Sequence, residues 1–166
     1  MANDVYRAID ASLIVSVGDS NAPEGAAAGG IVEQYDLSNT VGSLRDVVIK
    51  VTSDVRAVYE IGSRYPTHLR PGVVGVSGSA DRTHINGALL RLLLGQGAVS
   101  PPESANFVQP AFNIVANLTS SASPDSFSKV TLFGVQFDSW NYHIPLDDFV
   151  MERVSFQALR VAFEEA

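Results

Sequence analysis

Apolar and polar residues alternate with a period of two along several stretches of the chain, which is the pattern of half-buried β-strands. Val47, Ile49 and Val51 form one such apolar face, and residues 55–61 alternate in the same way. The polar tripeptide 52–54 between these two runs predicts a hairpin turn. The pattern therefore predicts that the two runs are neighbouring strands.

Two later segments change the parity of their apolar positions partway along. In KVTLFGVQFDSW, apolar residues occupy even positions up to Leu132 and odd positions from Phe133 onward, and ERVSFQALRVAFEE makes the same change after Phe156. A change of parity indicates a bulge, a sharp bend, or a strand that buries first one face and then the other. Such strands suit a closed or orthogonally packed sheet.

One helix is predicted, inside the segment VGVSGSADRTHINGALLRLLLGQG at residues 74–97. We expect Ser79 or Asp81 to act as its N-cap and Gly95 to end it. Five apolar residues follow helical spacing and form one stripe for the core: Ile85, Ala88, Leu89, Leu92 and Leu93.

Two leucines of this helix fall outside the stripe. At about 100° per residue, Leu90 and Leu94 lie nearly opposite the core-facing side. One face of the helix can pack on its own domain, and the other needs a second cover. Leu90 and Leu94, with Arg91 between them, are therefore predicted to lie at a subunit interface.

Three segments rich in Gly, Ala, Ser and Pro are predicted to be long interaction loops. They run from Gly18 to Gly30, from Gly95 to Ser104 and from Thr119 to Ser128. We expect such loops to become ordered against a neighbouring subunit.

The composition favours a single domain, residues 1–166, that buries more surface than its own core requires. Of the 166 residues, 46% are hydrophobic and only 17% are charged, against about a quarter in an average globular protein. A partner or further copies of the chain would cover the excess apolar surface. The chain contains no cysteine, which excludes disulfides, thiolate nucleophiles and Cys-based metal sites.

The formal net charge of −7 argues against a strong grip on the nucleic-acid backbone, because that grip requires clustered Lys and Arg. The N-terminal segment has no basic leader, and no apolar run approaches the roughly 20 residues of a membrane helix. We expect a soluble protein with no membrane partner.

No catalytic, cofactor-binding or metal-binding residue is predicted. The segment from Gly75 to Ser79 misses the G-x-S-x-G serine elbow by its last residue, and Ser77 falls inside a predicted strand. The three histidines show no metal-ligand spacing. Two alternatives stay open: a hydrolase that uses Ser77, and a monomeric β-sandwich that binds a ligand on Trp140 and Tyr142.

Two long segments, VYEIGSRYPTHLRPGVVGVSGSADRTHINGALLRLLLG and LFGVQFDSWNYHIPLDDFVMERVSFQALRVAFEE, resemble tail tube proteins of contractile-tailed bacteriophages. The resemblance covers most of Val55 to Glu165. It matches Tyr59 to Ser63 to the end of a tube strand, Gly78 to Leu94 to a strand-to-helix passage, and Val154 to Phe163 to a closing strand.

This resemblance implies a mainly β subunit, a β-sandwich or barrel-like domain with one flanking α-helix. Such subunits form hexameric rings that stack into a hollow tube inside a contractile sheath. It implies four kinds of partner: other copies of the chain, the sheath protein, baseplate and tail terminator proteins, and phage DNA that passes without specific binding. The expected location is the virion tail, assembled in the host cytoplasm. Tube or baseplate components of related contractile injection machines share the architecture and remain an alternative.

Overall fold

The computed structural model describes residues 5–98, 108–120 and 122–166. The predicted loop from Gly95 to Ser104 lies outside the described residues beyond Ala98, and residues 95–98 form a 3-10 turn. The elements, in chain order, are β1 (Ala11–Ser16), α1 (Pro23–Tyr35), β2 (Leu44–Ser53), β3 (Arg56–Val58), β4 (His68–Arg70), β5 (Val74–Thr83), α2 (Ala88–Leu94), β6 (Phe112–Thr119), β7 (Phe127–His143), β8 (Met151–Ala158) and β9 (Arg160–Glu165).

Seven strands form one curled antiparallel sheet in the order β1-β6-β7-β8-β5-β2, and β9 pairs with β7. The long strand β7 belongs to both halves of this sheet. Its first half lies between β6 and β9, and its second half pairs with β8. The mainly β, half-barrel fold is thus the class that the sequence predicts.

The sheet bends where β7 passes from one half to the other. Gly134 lies at this point with φ +64, and the pairing of β7 with β8 shifts register between Phe137 and Ser139. Leu132 and Val135, on opposite sides of the glycine in sequence, are both fully buried, so the core-facing parity changes here. The predicted parity change in this segment is confirmed.

The core lies between the concave side of the bend and the two helices. Phe112 and Phe137 meet edge to face with ring centroids 5.0 Å apart, and Phe156 packs beside Phe137. The helices close this core with buried residues of both: Ala28, Ile31, Val32, Ala88, Leu89 and Leu92. Among the described residues, no helix is long and apolar enough to cross a membrane.

The expectation of a single flanking helix is wrong, because α1 occupies part of the segment predicted as a loop from Gly18 to Gly30. Its glycines and alanines suggest flexibility, but Pro23 stands at the first helical position, where its fixed φ favours helix. Burial of Ile31 and Val32 stabilises a helix that its local sequence favours only weakly. Gly25 is required by a close approach, since a Cβ there would lie 1.7 Å from the carbonyl oxygen of Asp19.

The predicted start of the second helix is also wrong. Ser79 and Asp81 lie in β5, and α2 begins after Gly87, where the side chain of Asn86 accepts a hydrogen bond from the amide of Ala88 (3.1 Å). The end at Gly95 is as predicted. Because the helix starts later, Ile85 precedes it and is exposed.

The predicted hairpin between residues 47–51 and 55–61 does not form. β2 instead pairs with β5, with Lys50 opposite Ser77, and β3 pairs with β4, with Ala57 opposite Leu69. The tripeptide 52–54 is therefore not a hairpin turn, because the chain runs through it from β2 to β3 without reversing direction. Residues 44–83 form one long two-part hairpin.

Candidate assembly surface

The outer part of this hairpin, residues 50–75, is exposed at every position and is called the arm below. It contains β3 and β4, and its tip lies between Val58 and His68. Many of its exposed residues are large and apolar, namely Val51, Val55, Val58, Tyr59, Ile61, Tyr65, Leu69, Val73 and Val74. Exposed apolar surface of this extent marks an interaction site.

The arm has a defined shape despite its exposure. The amide of Asp54 donates to the carbonyl of Val73 (3.1 Å), which continues the pairing across the break between the two parts of the hairpin. At the tip, the hydroxyl of Ser63 donates to the carbonyl of Tyr65 (2.8 Å), and Gly62 adopts φ +90. Residues 59–63, expected at a strand end, thus lie in the tip turn just beyond β3.

One half of the main sheet, in the order β2-β5-β8-β7, has no neighbouring strand at either edge within the described part of the chain. β2 pairs only with β5, and residues 136–143 of β7 pair only with β8. These edges bound the same four-stranded half of the sheet, in the order β2-β5-β8-β7. Unpaired backbone groups along such edges are templates for pairing with another chain.

The side of this half-sheet that faces away from the core bears small polar side chains. This side carries Ser77, Ser79, Ser139 and Ser155. In the strand register, Ser79 and Ser139 both stand opposite Ser155, and Ser77 stands opposite Lys50 and Gln157. Asp138, at the bulge of β7, accepts hydrogen bonds from Ser155 and from Gln157. We call this surface the serine face.

The predicted interface residues of α2 are only partly exposed. Leu90, Leu94 and Arg91 are half-buried. Arg91 contacts α1 of the same chain, with Nη1 donating to Gln34 Oε1 (2.6 Å) and to the hydroxyl of Tyr35 (3.3 Å). Arg91 therefore joins the two helices, and a role of these three residues between subunits stays a prediction.

A buried ion pair fastens the end of the half-sheet that lies away from the arm. Arg82 and Glu152 have no exposed side-chain surface, and Arg82 Nε donates to Glu152 Oε1. The guanidinium also donates to the carbonyl of Val41 (3.2 Å) and to Asn86 Oδ1 (3.0 Å), and Trp140 Nε1 donates to Glu152 Oε2 (3.0 Å). The ion pair thus ties together the segment before β2, the end of β5 and the start of β8.

This ion pair was not predicted, although the sequence contains a signal for it. Arg82 continues the even-numbered, core-facing positions of Val76 and Ala80, and Glu152 has the same parity as Val154 and Phe156. Two charged residues of opposite sign at core-facing positions of neighbouring strands are expected to pair.

The residues considered for chemistry do not come together into a site. Ser77 lies within β5, opposite Lys50 and Gln157, and not on a strand-to-helix turn. Trp140 and Tyr142 stack on each other at 5.1 Å, so each covers a ring face that a bound sugar would need. Within the described ranges, no three His, Asp or Glu residues are grouped to hold a metal ion.

His84 lies beside these aromatic rings. Its ring meets Tyr142 edge to face at 4.9 Å. Its Nδ1 atom is 3.3 Å from Glu152 Oε2 but lacks hydrogen-bonding geometry, so we regard this as a contact and not as a hydrogen bond.

Solved structures of tail assemblies share this fold. A chain of the extended sheath–tube complex of the PVC extracellular contractile injection system has a TM-score of 0.64 at 10% identity, covering 99% of this chain and 94% of that chain. The SPP1 tail tube has a TM-score of 0.56 at 12% identity, covering 98% of this chain and 80% of that one. A chain of the native gene transfer agent virion has a TM-score of 0.53 at 13% identity, covering 98% and 99%.

No protein-family model matches the sequence, and no curated protein matches it at the sequence level. At identities this low, the likeness concerns the fold. The chain therefore has the fold found in the tubes of phage tails and contractile injection systems, as the sequence resemblance implies.

Proposed function

We propose that the chain is the tube subunit of a phage tail or a related contractile injection machine. Copies close into hexameric rings, the rings stack, and the resulting hollow tube conducts DNA inside a contractile sheath. The observation that carries this proposal is the shared fold, which extends over 98–99% of the chain in structures of tail assemblies. The exposed arm and open strand edges are the surfaces that such an assembly would bury.

Ring closure is supported by the two free edges of the half-sheet. In a ring, β2 of one copy lies beside the second half of β7 of the next copy, so that the antiparallel pairing continues between subunits. Closure of the ring removes every free edge of this half-sheet. A gene transfer agent tail with the same fold was resolved with C6 symmetry, which supports six copies per ring.

The serine face then lines the tube. The other side of the half-sheet is covered by the core and the helices. In a closed ring this thicker layer lies on the outside, where the circumference is larger. The sequence alone does not show which strands face the lumen, and the chain as a whole has a formal net charge of −7. The serine face is close to neutral by contrast, because Lys50 and Arg153 accompany Asp46, Asp81 and Asp138 on it.

The proposed role is structural and not enzymatic. It places the chain in the virion tail, assembled in the host cytoplasm, with the sheath around it and baseplate and terminator proteins at its ends. DNA would slide past short hydroxyl side chains that offer few cations to its phosphates. This suits passage without specific binding.

Electron microscopy of the purified protein tests the proposal. We expect rings with sixfold symmetry at low concentration and hollow tubes as the concentration rises. A protein that stays monomeric at every concentration up to the solubility limit, with its subunit folded, would contradict the proposal.

A terminator of the tube is a second candidate, because a sheath/tube terminator of the same system has an equal TM-score of 0.64 over 99% of both chains. A terminator would form single rings that end a tube and do not stack on one another. Tubes that elongate from the purified chain alone would favour the tube subunit, and rings that never stack would favour the terminator.

A further inference from the structure

The arm and the β7–β8 connection lie at opposite ends of the same half-sheet. β5 begins within the arm at Val74 and ends at Thr83, which pairs with Met151 at the start of β8. The connection from β7 to β8 therefore stands at the end away from the arm. Its residues 144–150 are called the distal loop below.

Both ends expose large apolar side chains. In the distal loop, Ile144, Leu146 and Phe149 are exposed, Leu146 almost completely (96%). At the tip of the arm, Ile61 is fully exposed and Tyr65 is 77% exposed. Neither cluster is covered by the body of its own subunit, and the half-sheet between the two clusters keeps them from covering each other.

The two ends differ in charge. The arm contains four basic residues (Lys50, Arg56, Arg64 and Arg70) and two acidic ones (Asp54 and Glu60), a formal charge of +2. The remaining residues of the chain contain seven basic and sixteen acidic residues, a formal charge of −9. Asp147 and Asp148 give the distal loop a charge of −2, with no basic residue inside it.

The distal loop is held at its C-terminal end by the end of β5 and contains one hydrogen bond of its own. The amide of His84 donates to the carbonyl of Val150 (2.8 Å), and the amide of Phe149 donates to Asp148 Oδ1 (2.7 Å). Glu152, two residues beyond the loop, is fixed by Arg82 and Trp140. A surface that is ordered before binding loses less entropy when a partner docks on it.

We propose that the arm of one copy docks on the distal loop of another copy in the next ring. The arginines of the arm face Asp147 and Asp148, and the apolar residues of the arm tip cover Leu146 and Phe149. Because the two surfaces are different and lie at opposite ends of one subunit, the contact is heterologous and repeats without closing. This inference rests on the proposed function, since it assigns the contact through which stacked rings grow into a tube.

Paired charge reversals test this contact. One variant carries Arg64→Glu and Arg70→Glu in the arm, and the other carries Asp147→Lys and Asp148→Lys in the distal loop. In each variant alone, arm and loop have the same sign and repel each other, so we expect elongation to require at least about tenfold more protein than in the wild type. Single rings should still form, because the strand edges are unchanged.

A mixture of the two variants gives the decisive result. The acidic arm of the first variant matches the basic loop of the second, and the basic arm of the second matches the acidic loop of the first. We expect the equimolar mixture to form tubes near the wild-type concentration, measured by sedimentation and electron microscopy. A control chain with Glu33→Lys and Asp125→Lys has the same change of charge at exposed positions away from the loop and should elongate like the wild type.

The outcomes separate this inference from the proposed function. If the wild type forms neither rings nor tubes, the proposed function fails. If the wild type forms tubes but the loop variant elongates equally well, or if two folded variants elongate poorly and their mixture does not recover, the arm does not dock on the distal loop. In both of those cases the tube function stands.

Discussion

At the scale of single residues, the buried pair Arg82–Glu152 is the most consequential polar feature of the subunit. Both side chains are removed from solvent, and each relies on the other for charge compensation. Removal of one partner from such a pair leaves an unpaired buried charge, which typically costs 3–5 kcal/mol, whereas replacement of both by apolar residues is often neutral. The pair therefore matters more for what its disruption costs than for the stability that it adds.

We predict that Glu152→Gln lowers the free energy of unfolding of the subunit by about 3–5 kcal/mol, because Arg82 keeps its charge without a counter-ion. The double variant Arg82→Met with Glu152→Leu should recover most of this loss. Urea unfolding followed by circular dichroism measures both. The pair Arg153–Asp81, in which Arg153 is exposed and Asp81 is half-buried, supplies the control, since Arg153→Met should change stability by about 1 kcal/mol or less.

A second residue-scale prediction concerns the glycine at the bend of β7. Gly134→Ala should destabilise the subunit by about 1–2 kcal/mol for the left-handed backbone alone. An added Cβ would also lie 2.5 Å from a methyl group of Leu159, so the observed loss should exceed this range. Gly30→Ala is the control, because Gly30 lies inside α1 with open space around it and should gain up to about 1 kcal/mol. Equal effects of the two changes in thermal unfolding would contradict the assignment of the bend to Gly134.

At the scale of elements, the second helix has one face in the core and another that is half-buried. We predict that Leu90→Asp and Leu94→Asp impair assembly more than folding, because these side chains keep exposed surface that a neighbouring subunit can cover. Leu92→Asp is the matched control and should unfold the subunit, since Leu92 is completely buried. Circular dichroism and sedimentation measure folding and assembly separately. Unfolding of the Leu90 variant as well would show that both faces belong to the core.

The arm offers an element-scale prediction of its own. Replacement of residues 55–72 by Asn-Gly should leave a folded subunit, because the amide of Asp54 already donates to the carbonyl of Val73 and these two residues can be joined by a two-residue turn. The deleted residues are exposed and contribute nothing to the core. We expect an unchanged midpoint of thermal unfolding and no tubes by electron microscopy. Tubes of normal length without the arm would contradict its role in assembly.

These same elements show which parts of the structure a sequence pattern can predict. The bend of β7 was predictable, because the change from an even to an odd apolar position between Leu132 and Val135 shows, within a few residues, that the buried face changes. The partner of β2 was not predictable. β2 pairs with β5, which follows the whole arm in sequence, and no local pattern distinguishes this pairing from a hairpin with the next run of alternating residues. The helix α1 was missed because its Ala and Gly residues depend on packing of Ile31 and Val32 with the core.

The candidate surfaces were predictable only in part for a related reason. Excess apolar composition indicates that some surface is buried in an assembly, but it does not say which residues bear it. The arm emerges only when the pairing of β2 with β5 places residues 50–75 outside the body. Helical spacing predicted Leu90 and Leu94 as interface residues. The most exposed leucine and isoleucine are Leu146 in the distal loop and Ile61 in the arm.

At the scale of the whole molecule, the order of the layers decides which side of the half-sheet would meet the lumen of the proposed tube. The helices and the other half of the sheet lie on the core side, so a closed ring has room for them only outside. In the proposed tube, the serine face then points inward. Its short hydroxyl side chains would leave a smooth surface of low charge along the tube.

A unique thiol tests this orientation, because the natural chain contains no cysteine. Gln157→Cys places a thiol on the serine face, and Asn39→Cys places one at an exposed position after α1, on the side of the helices. With a maleimide gold cluster coupled before assembly, we expect averaged images of Gln157→Cys tubes to show gold density on the tube axis and those of Asn39→Cys tubes to show it outside the wall. Gold outside the wall for Gln157→Cys and on the tube axis for Asn39→Cys would mean that the core side of the half-sheet faces the lumen.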